Sequence, residues 1–236
     1  MPSRNFAVID FETTGLMAGR DRIIEVAAVI VRDGDIVDTF AQLMDPGYRI
    51  PSFITELTGI STAMVRGQPR PEDVMPELKA FLADHICVAH NAAFDARFFS
   101  AEMSRARLHH DRQFLCSMNL ARRLVQDAPN HKLGTLVDHL CLSKPAGMQA
   151  HRALADALMT VELWNHLSAR ITSQLAGRQP GLEVYATLLA KSKAAAVKYL
   201  QTLAAGPSAT PIRKPRRPRK PSIASGCGNA GPSALQ

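Results

Sequence analysis

The 236-residue sequence predicts an α/β protein built on a mixed five-stranded sheet with flanking helices. Three observations predict it. Three strand-like segments come first, rich in apolar and β-branched residues. The dipeptide Asp33-Gly34 between the second and third is a hairpin signal. After residue 51, segments with helical spacing alternate with short apolar runs of strand type.

Each element follows in order. Asn5 to Asp10 reads as a strand, mostly apolar and ending in acids. Ile23 to Val31 and Ile36 to Leu43 complete a three-stranded meander. Ser52 to Val65 is helical but interrupted at Thr58-Gly59. Pro71 to Leu82 opens with Pro-Glu-Asp, a good helix start, and carries Val74, Leu78 and Phe81 at helical spacing. Ile86 to Ala89 is a short buried strand. Ala92 to Arg105 is a helix with Phe94, Phe98 and Ala101 on one stripe. Gln113 to Ser117 supplies the fifth strand. Helices are expected at Asn119–Val125, Leu133–Leu140 and Ala153–Leu167.

The character changes after Arg170. Gly177, Pro180 and Gly181 break the chain, and Leu182 to Leu203 then reads as one helix or two short ones. Leu182, Tyr185, Leu189, Ser192, Ala196, Tyr199 and Leu203 are spaced alternately three and four apart. That is a seam with one polar member. It suits packing on the same chain or against a partner. Beyond it the composition turns to Pro, Ser, Gly, Lys and Arg, the signature of a disordered tail. The expected organisation is a domain over residues 1–172, a helical extension over 180–204 and a tail over 205–236.

The formal net charge is +7. Arg213, Lys214, Arg216, Arg217, Arg219 and Lys220 in the tail account for all but one unit of it. A nearly neutral body argues against a broad basic face for long duplex nucleic acid. The tail reads as solvated linker, as a basic arm with salt-sensitive phosphate affinity, or as a Pro-rich docking segment. Cys87, Cys116, Cys141 and Cys227 are scattered, with no C-x-x-C pair, which suggests a reducing compartment and no disulfide framework. The segment M-P-S-R-N-F lacks the apolar run of a signal peptide, and Val26 to Val31 is too short to span a bilayer. A cytoplasmic protein with no membrane partner is expected.

Five residues carry the chemistry. Asp10 and Glu12 lie two apart in V-I-D-F-E-T-T-G, so on a strand they point to one face. Asp95 falls in the first turn of a helix beside its buried stripe, where an acid is also favoured simply by the helix N-terminus. Asp156 follows His151 by five residues. Ala153, Ala155 and Ala157 would let their helix lie close against the sheet and bring Asp156 towards Asp10 and Glu12. Unpaired carboxylates beside apolar sequence are expensive. Four gathered together need a cation, and hard divalent metals with a histidine alongside suit phosphate chemistry. Thr13-Thr14-Gly15 would allow close approach of backbone to a phosphate. His85, His90, His109, His110, His131, His139 and His166 have no such company and read as structural.

Asp10-Phe11-Glu12-Thr13-Thr14-Gly15, His90-Asn91-Ala92-Ala93-Phe94-Asp95 and His151 through Asp156 closely resemble the three motifs of the DnaQ-like, DEDDh-type 3′→5′ exonucleases. Order and intervals agree, and the resemblance covers roughly residues 5–168. Leu57-Thr58-Gly59-Ile60 resembles the segment that meets the terminal nucleotide in that family. The E-T-T-G run is most like the bacterial proofreading group, which includes the epsilon subunit of DNA polymerase III. A short glutamine-plus-aromatic sliding-clamp motif is missing, since Gln174-Leu175-Ala176-Gly177 lacks the aromatic anchor.

The resemblance implies a ribonuclease H-like sheet with the site at the strand ends. It implies that Asp10, Glu12 and Asp156 hold one metal, that Asp10 bridges to a second, and that Asp95 helps place the second. It makes His151 the general base. Two Mg²⁺ or Mn²⁺ ions ~3.5–4 Å apart can stabilise both attacking and leaving oxygens. Thr13, Leu57, Thr58 and Phe94 would meet the terminal nucleotide. The implied substrates are single-stranded or frayed nucleic-acid 3′ ends, with DNA preferred. The implied partner is a DNA polymerase subunit or other protein, through Leu182–Leu203 or the tail. Two alternatives stay open: trimming of RNA 3′ ends, and a non-catalytic nucleic-acid-binding module of the same fold.

Overall fold

The computed structural model describes residues 5–147 and 151–205. The tail expected beyond Ala205 lies outside the described residues. The chain opens with β1 (Phe6–Thr13), β2 (Ile23–Arg32) and β3 (Asp35–Leu43). Three helices follow: α1 (Ser52–Thr58), α2 (Thr62–Val65) and α3 (Pro71–Leu82). Then come β4 (Ile86–Ala89), α4 (Ala92–Arg105), β5 (Phe114–Cys116), α5 (Ser117–Leu124), α6 (Leu133–His139) and α7 (Ala153–Gln174). Two helices, α8 (Leu182–Ala190) and α9 (Lys193–Ala204), close the described chain.

The sheet order is β3-β2-β1-β4-β5. The first three strands form an antiparallel meander. Asp33 and Gly34, with φ of 55° and 99°, make the turn between β2 and β3. Both central residues at positive φ match the right-handed twist of the strands. β1, β4 and β5 run parallel. The expected mixed five-stranded sheet is therefore what forms.

Side chains of β1 alternate between two cores. Phe6 and Val8 join Ala27, Val29 and Val31 of β2 against α7 and its neighbours. Ala7, Ile9 and Phe11 join Val26, Ala28 and Ile30 against α3 and α4. The sheet is thus covered on both faces, which explains why β2 reads as an almost continuous apolar run. Phe11 stacks on Phe99 with ring centroids 6.5 Å apart, tying β1 to α4.

Several boundaries differ from expectation for physical reasons. β1 does not stop at Asp10; it continues to Thr13 because β2 keeps pairing with it, Glu12 opposite Glu25. The interruption at Thr58-Gly59 is a full break between α1 and α2, with Gly59 at φ 73° capping the first. α7 runs to Gln174, two turns beyond Leu167, because Ile171 continues its buried stripe from Trp164 and Leu167. The seam over Leu182–Leu203 takes the second of its two expected forms, a pair of short helices. Lys191 closes the first and Ser192 opens the second, the Ser192 hydroxyl accepting from the Ala195 N–H. The buried faces of the two helices are Val184, Tyr185 and Leu188, then Ala196 and Leu200, packed in the same core as α5 and α7. Of the two readings of that seam, packing on the same chain is the one that forms.

α4 is held by a buried charge network. Glu102, fully buried, accepts from Arg22 Nε at 2.8 Å and Arg105 Nη1 at 3.0 Å, and Arg22 also reaches Glu72 on α3. A buried carboxylate persists only with such partners. The network fixes α4 against the start of β2.

Candidate active site

The site forms where β1 outruns its parallel neighbour. Pairing between β1 and β4 covers Phe6 to Val8. β4 ends at Ala89, and Asn91 turns the chain through φ 64° into α4. Asn tolerates that left-handed conformation better than most residues. The end of β1 therefore borders the first turn of α4 on one side and the entry of α7 on the other.

Asp10 and Glu12 share the face of β1 that bears Phe6 and Val8, the face covered by α7. Ala153, Ala155 and Ala157 are all buried there, so the helix approaches closely. Asp156, one turn into α7, meets both acids. Carboxylate oxygens of Asp10, Glu12 and Asp156 all lie within 4.8 Å of one another. Asp95 belongs to the α4 side. It is almost fully buried, and the backbone N–H groups of Asp95 and Phe11 are directed at its carboxylate.

Electrostatics shows what the cluster lacks. Burial, then the charges of Asp95, Glu12, Asp156 and Glu25, hold the Asp10 carboxyl well above the usual range. Burial and the charges of Asp156, Glu25 and Asp95 push Glu12 up to about 8, with Arg152 opposing. Burial pushes Asp95 up to about 8 against its backbone hydrogen bonds. Burial likewise raises Asp156, while the His151 charge and backbone pull it down. These acids cannot all ionise together at neutral pH unless positive charge joins them. An all-oxygen donor set of this size fits a hard divalent cation.

His151 stands directly before α7, exposed, at φ 59°. It lies beside Asp156 and outside the carboxylate group. Leu57 is half exposed on α1, and Phe94 is partly buried against Phe98. Two other expected contacts have their hydroxyls engaged internally. Thr13 donates to the Gly15 carbonyl at 2.6 Å. Thr58 donates to Ile54 O at 2.9 Å and accepts from Ile60 N at 3.1 Å. What these two threonines can offer a ligand is backbone. His90 is structural: its ring bridges Ser117 Oγ and the His131 carbonyl, and burial pushes it down to about 4.

Sequence reasoning missed three residues. Glu25, opposite Glu12, is buried and paired with Arg152 across the entry of α7. A signal existed: Glu25 is a single charge inside the apolar run of β2, which demands a partner. Arg152 gave no signal of its own. Tyr48 bonds the Thr14 hydroxyl at 2.8 Å and gave none either. A cavity of about 470 Å³ lined by Phe6, Trp164 and Tyr185 sits at the opposite end of β1 and contains none of the acids.

Comparison with known proteins agrees with this geometry. The exonuclease family model RNase_T matches residues 7–164. The PolC-type DNA polymerase III of Caldanaerobacter subterraneus subsp. tengcongensis is 40% identical over 159 residues, 67% of this chain but 11% of that protein. The chain thus spans about a tenth of the PolC-type relatives it matches. The DNA polymerase III subunit epsilon of Aquifex aeolicus is 36% identical over 160 residues, 67% of this chain and 78% of that one. The solved structure of exonuclease X in complex with 5′ overhanging duplex DNA superposes with a TM-score of 0.58 at 32% identity. It covers 70% of this chain and 92% of that one. The ribonuclease H-like arrangement expected from the motifs is the arrangement observed, and the chain belongs to the exonuclease family.

Proposed function

We propose that this chain is a 3′→5′ exonuclease that hydrolyses phosphodiester bonds at DNA 3′ ends and releases nucleoside monophosphates. One observation carries the reading: three carboxylates from β1 and α7 within 4.8 Å of one another, beside a buried fourth and an exposed histidine. Asp10, Glu12 and Asp156 hold one divalent cation. Asp10 and Asp95 place a second. Mg²⁺ or Mn²⁺ suits these oxygens and, when bound, neutralises charge on the reacting phosphate. His151, free of the carboxylate group, accepts the proton of the attacking water, a contribution of roughly 10²–10⁴-fold. Leu57 and Phe94 pack on the terminal nucleotide, and the backbone at Thr13 and Thr58 borders it.

DNA is the favoured polymer because the relatives are DNA polymerase III components and the solved neighbour holds duplex DNA with an overhang. The exonuclease domain over residues 1–172 carries the chemistry, with residues 180–204 packed on it as an extension. A polymerase subunit or other protein would be met through the outer faces of α8 and α9, where Leu182 and Val197 stay exposed, or through the tail. Among the described residues no helix is long and apolar enough to cross a membrane; a cytoplasmic setting is part of the proposal.

The test is a parallel assay on end-labelled single-stranded DNA, mismatched primer–template and short RNA, with Mg²⁺, Mn²⁺ or chelator. Mononucleotide release from DNA, lost with chelator, is expected. Faster release from RNA would move the substrate to RNA. Full activity in a double Asp10→Ala, Glu12→Ala variant would sink the mechanism.

A further inference from the structure

Two parts of the site come from distant sequence. Asp10 and Glu12 lie on β1; His151 and Asp156 flank the first turn of α7. Something must fix that turn against the sheet. Arg152 occupies the N-cap position, at φ −121° and ψ 128°, and its own side chain makes no cap hydrogen bond. A helix start without a cap leaves N–H groups unsatisfied.

Glu25 supplies the missing cap from another strand. Its Oε2 accepts from the Ala153 N–H at 2.9 Å. Its carboxylate also accepts from Arg152 Nε at 3.1 Å to each oxygen, and from Nη2 at 2.6 Å. Its side chain is 9% exposed. One buried carboxylate thus grips two consecutive residues, both lying between His151 and Asp156. Paired bonds from a guanidinium to a carboxylate are directional as well as strong. Glu25 is also the cross-strand neighbour of Glu12. The same residue is therefore registered to β1 through the sheet and to α7 through its side chain.

We propose that Glu25, with Arg152, is a positioning residue of the site, fixing the entry of α7 so that His151 and Asp156 meet Asp10 and Glu12. This rests on the nuclease reading above. Glu25 touches no reacting atom; it acts through the turn that carries two residues which do.

The test uses the full chain and four variants: Glu25→Ala, Arg152→Gln, the double variant and Arg152→Lys. Circular dichroism and melting first establish that each is folded. Hydrogen exchange of the Ala153 amide, followed by NMR without metal, is the readout independent of activity. It should quicken about ten-fold or more in Glu25→Ala. Both single variants should lower kcat about ten-fold or more, with KM for single-stranded DNA changed less than about three-fold. The double variant should be little worse than the poorer single one, because both remove one device. Arg152→Lys keeps the charge without the paired geometry and should recover only part of the loss. Unchanged exchange at Ala153 would overturn the proposal. So would opposite effects of the two single variants, which mark a charge effect, or a raised KM with kcat intact in Arg152→Gln, which marks a phosphate contact. If Glu25→Ala does not fold, the Arg152 variants, which leave β2 untouched, decide it on the kcat and KM criteria. If the parent chain degrades no nucleic acid, the nuclease reading fails, and the Ala153 amide still decides whether Glu25 fixes the turn.

Discussion

Glu12 and Glu25 stand opposite each other on antiparallel strands, on one face of the sheet. Like charges in that relation destabilise a sheet. Here each is answered from elsewhere. Arg152 and the start of α7 neutralise Glu25. Glu12 shares with Asp10 and Asp156 a gap that an ion can fill. The two acids look alike in sequence and differ wholly in partner.

Asp10→Ala or Asp156→Ala should reduce nucleotide release to background. Each would remove one of three carboxylates that lie close enough together to share a cation. Calorimetric titration with Mn²⁺ should show the affinity falling with the activity.

His151→Ala should behave differently. The ring stands outside the carboxylate group, so Mn²⁺ affinity should change little while kcat falls roughly 10²–10⁴-fold. A parallel loss of metal binding would make His151 a ligand.

The acids set a pH dependence of stability. Glu12 and Asp95 are pushed up to about 8 without metal, from the ordinary carboxylate range. The folded chain therefore holds protons that the unfolded chain releases between roughly pH 4 and 8. Where the native state binds more protons, stability falls as pH rises. The metal-free protein should lose stability across that window. Added Mg²⁺ or Mn²⁺ binds only the folded state and should stabilise it more at pH 8 than at pH 6. Melting curves with chelator and with metal at both pH values read this directly.

Glu102→Ala should cost about 3 kcal/mol in urea unfolding, because Arg105 loses its carboxylate and Arg22 keeps only the more exposed Glu72. The Arg22 side chain is only 15% exposed, so water does not replace the partner.

Leu57→Ala should leave stability within about 0.5 kcal/mol, as expected of an exposed residue away from buried features. It should raise KM for single-stranded DNA. An unchanged KM would remove Leu57 from the nucleotide site.

The sequence was readable where one local rule dominates. Pro71-Glu72-Asp73 and the α4 stripe marked their helices to the residue, since capping and periodicity agree there. Asp10, Glu12 and Asp156 were legible as a group because alternation on a strand and small residues on a helix have a single geometric outcome. The end of α7 was not, since Ser168 to Gln174 is polar except at Ala169 and Ile171, and only tertiary burial shows that the stripe continues. The break at Ser192 was ambiguous because a cap residue and one polar seam member look the same until the partner surface is known. Arg152 was invisible because its meaning lies 127 positions away, at Glu25.

β1 passing the end of β4 leaves a short stretch of unpaired strand edge in the middle of the sheet. Open edges invite a foreign strand to add on. The Phe11 N–H is directed at Asp95, so one carboxylate takes a place that a neighbouring strand would otherwise hold. The Asp95 carboxylate would thus have two duties, one in the site and one as the acceptor that covers this edge. An Asp95→Asn exchange, which keeps an acceptor for Phe11 and drops the charge, would separate the two duties.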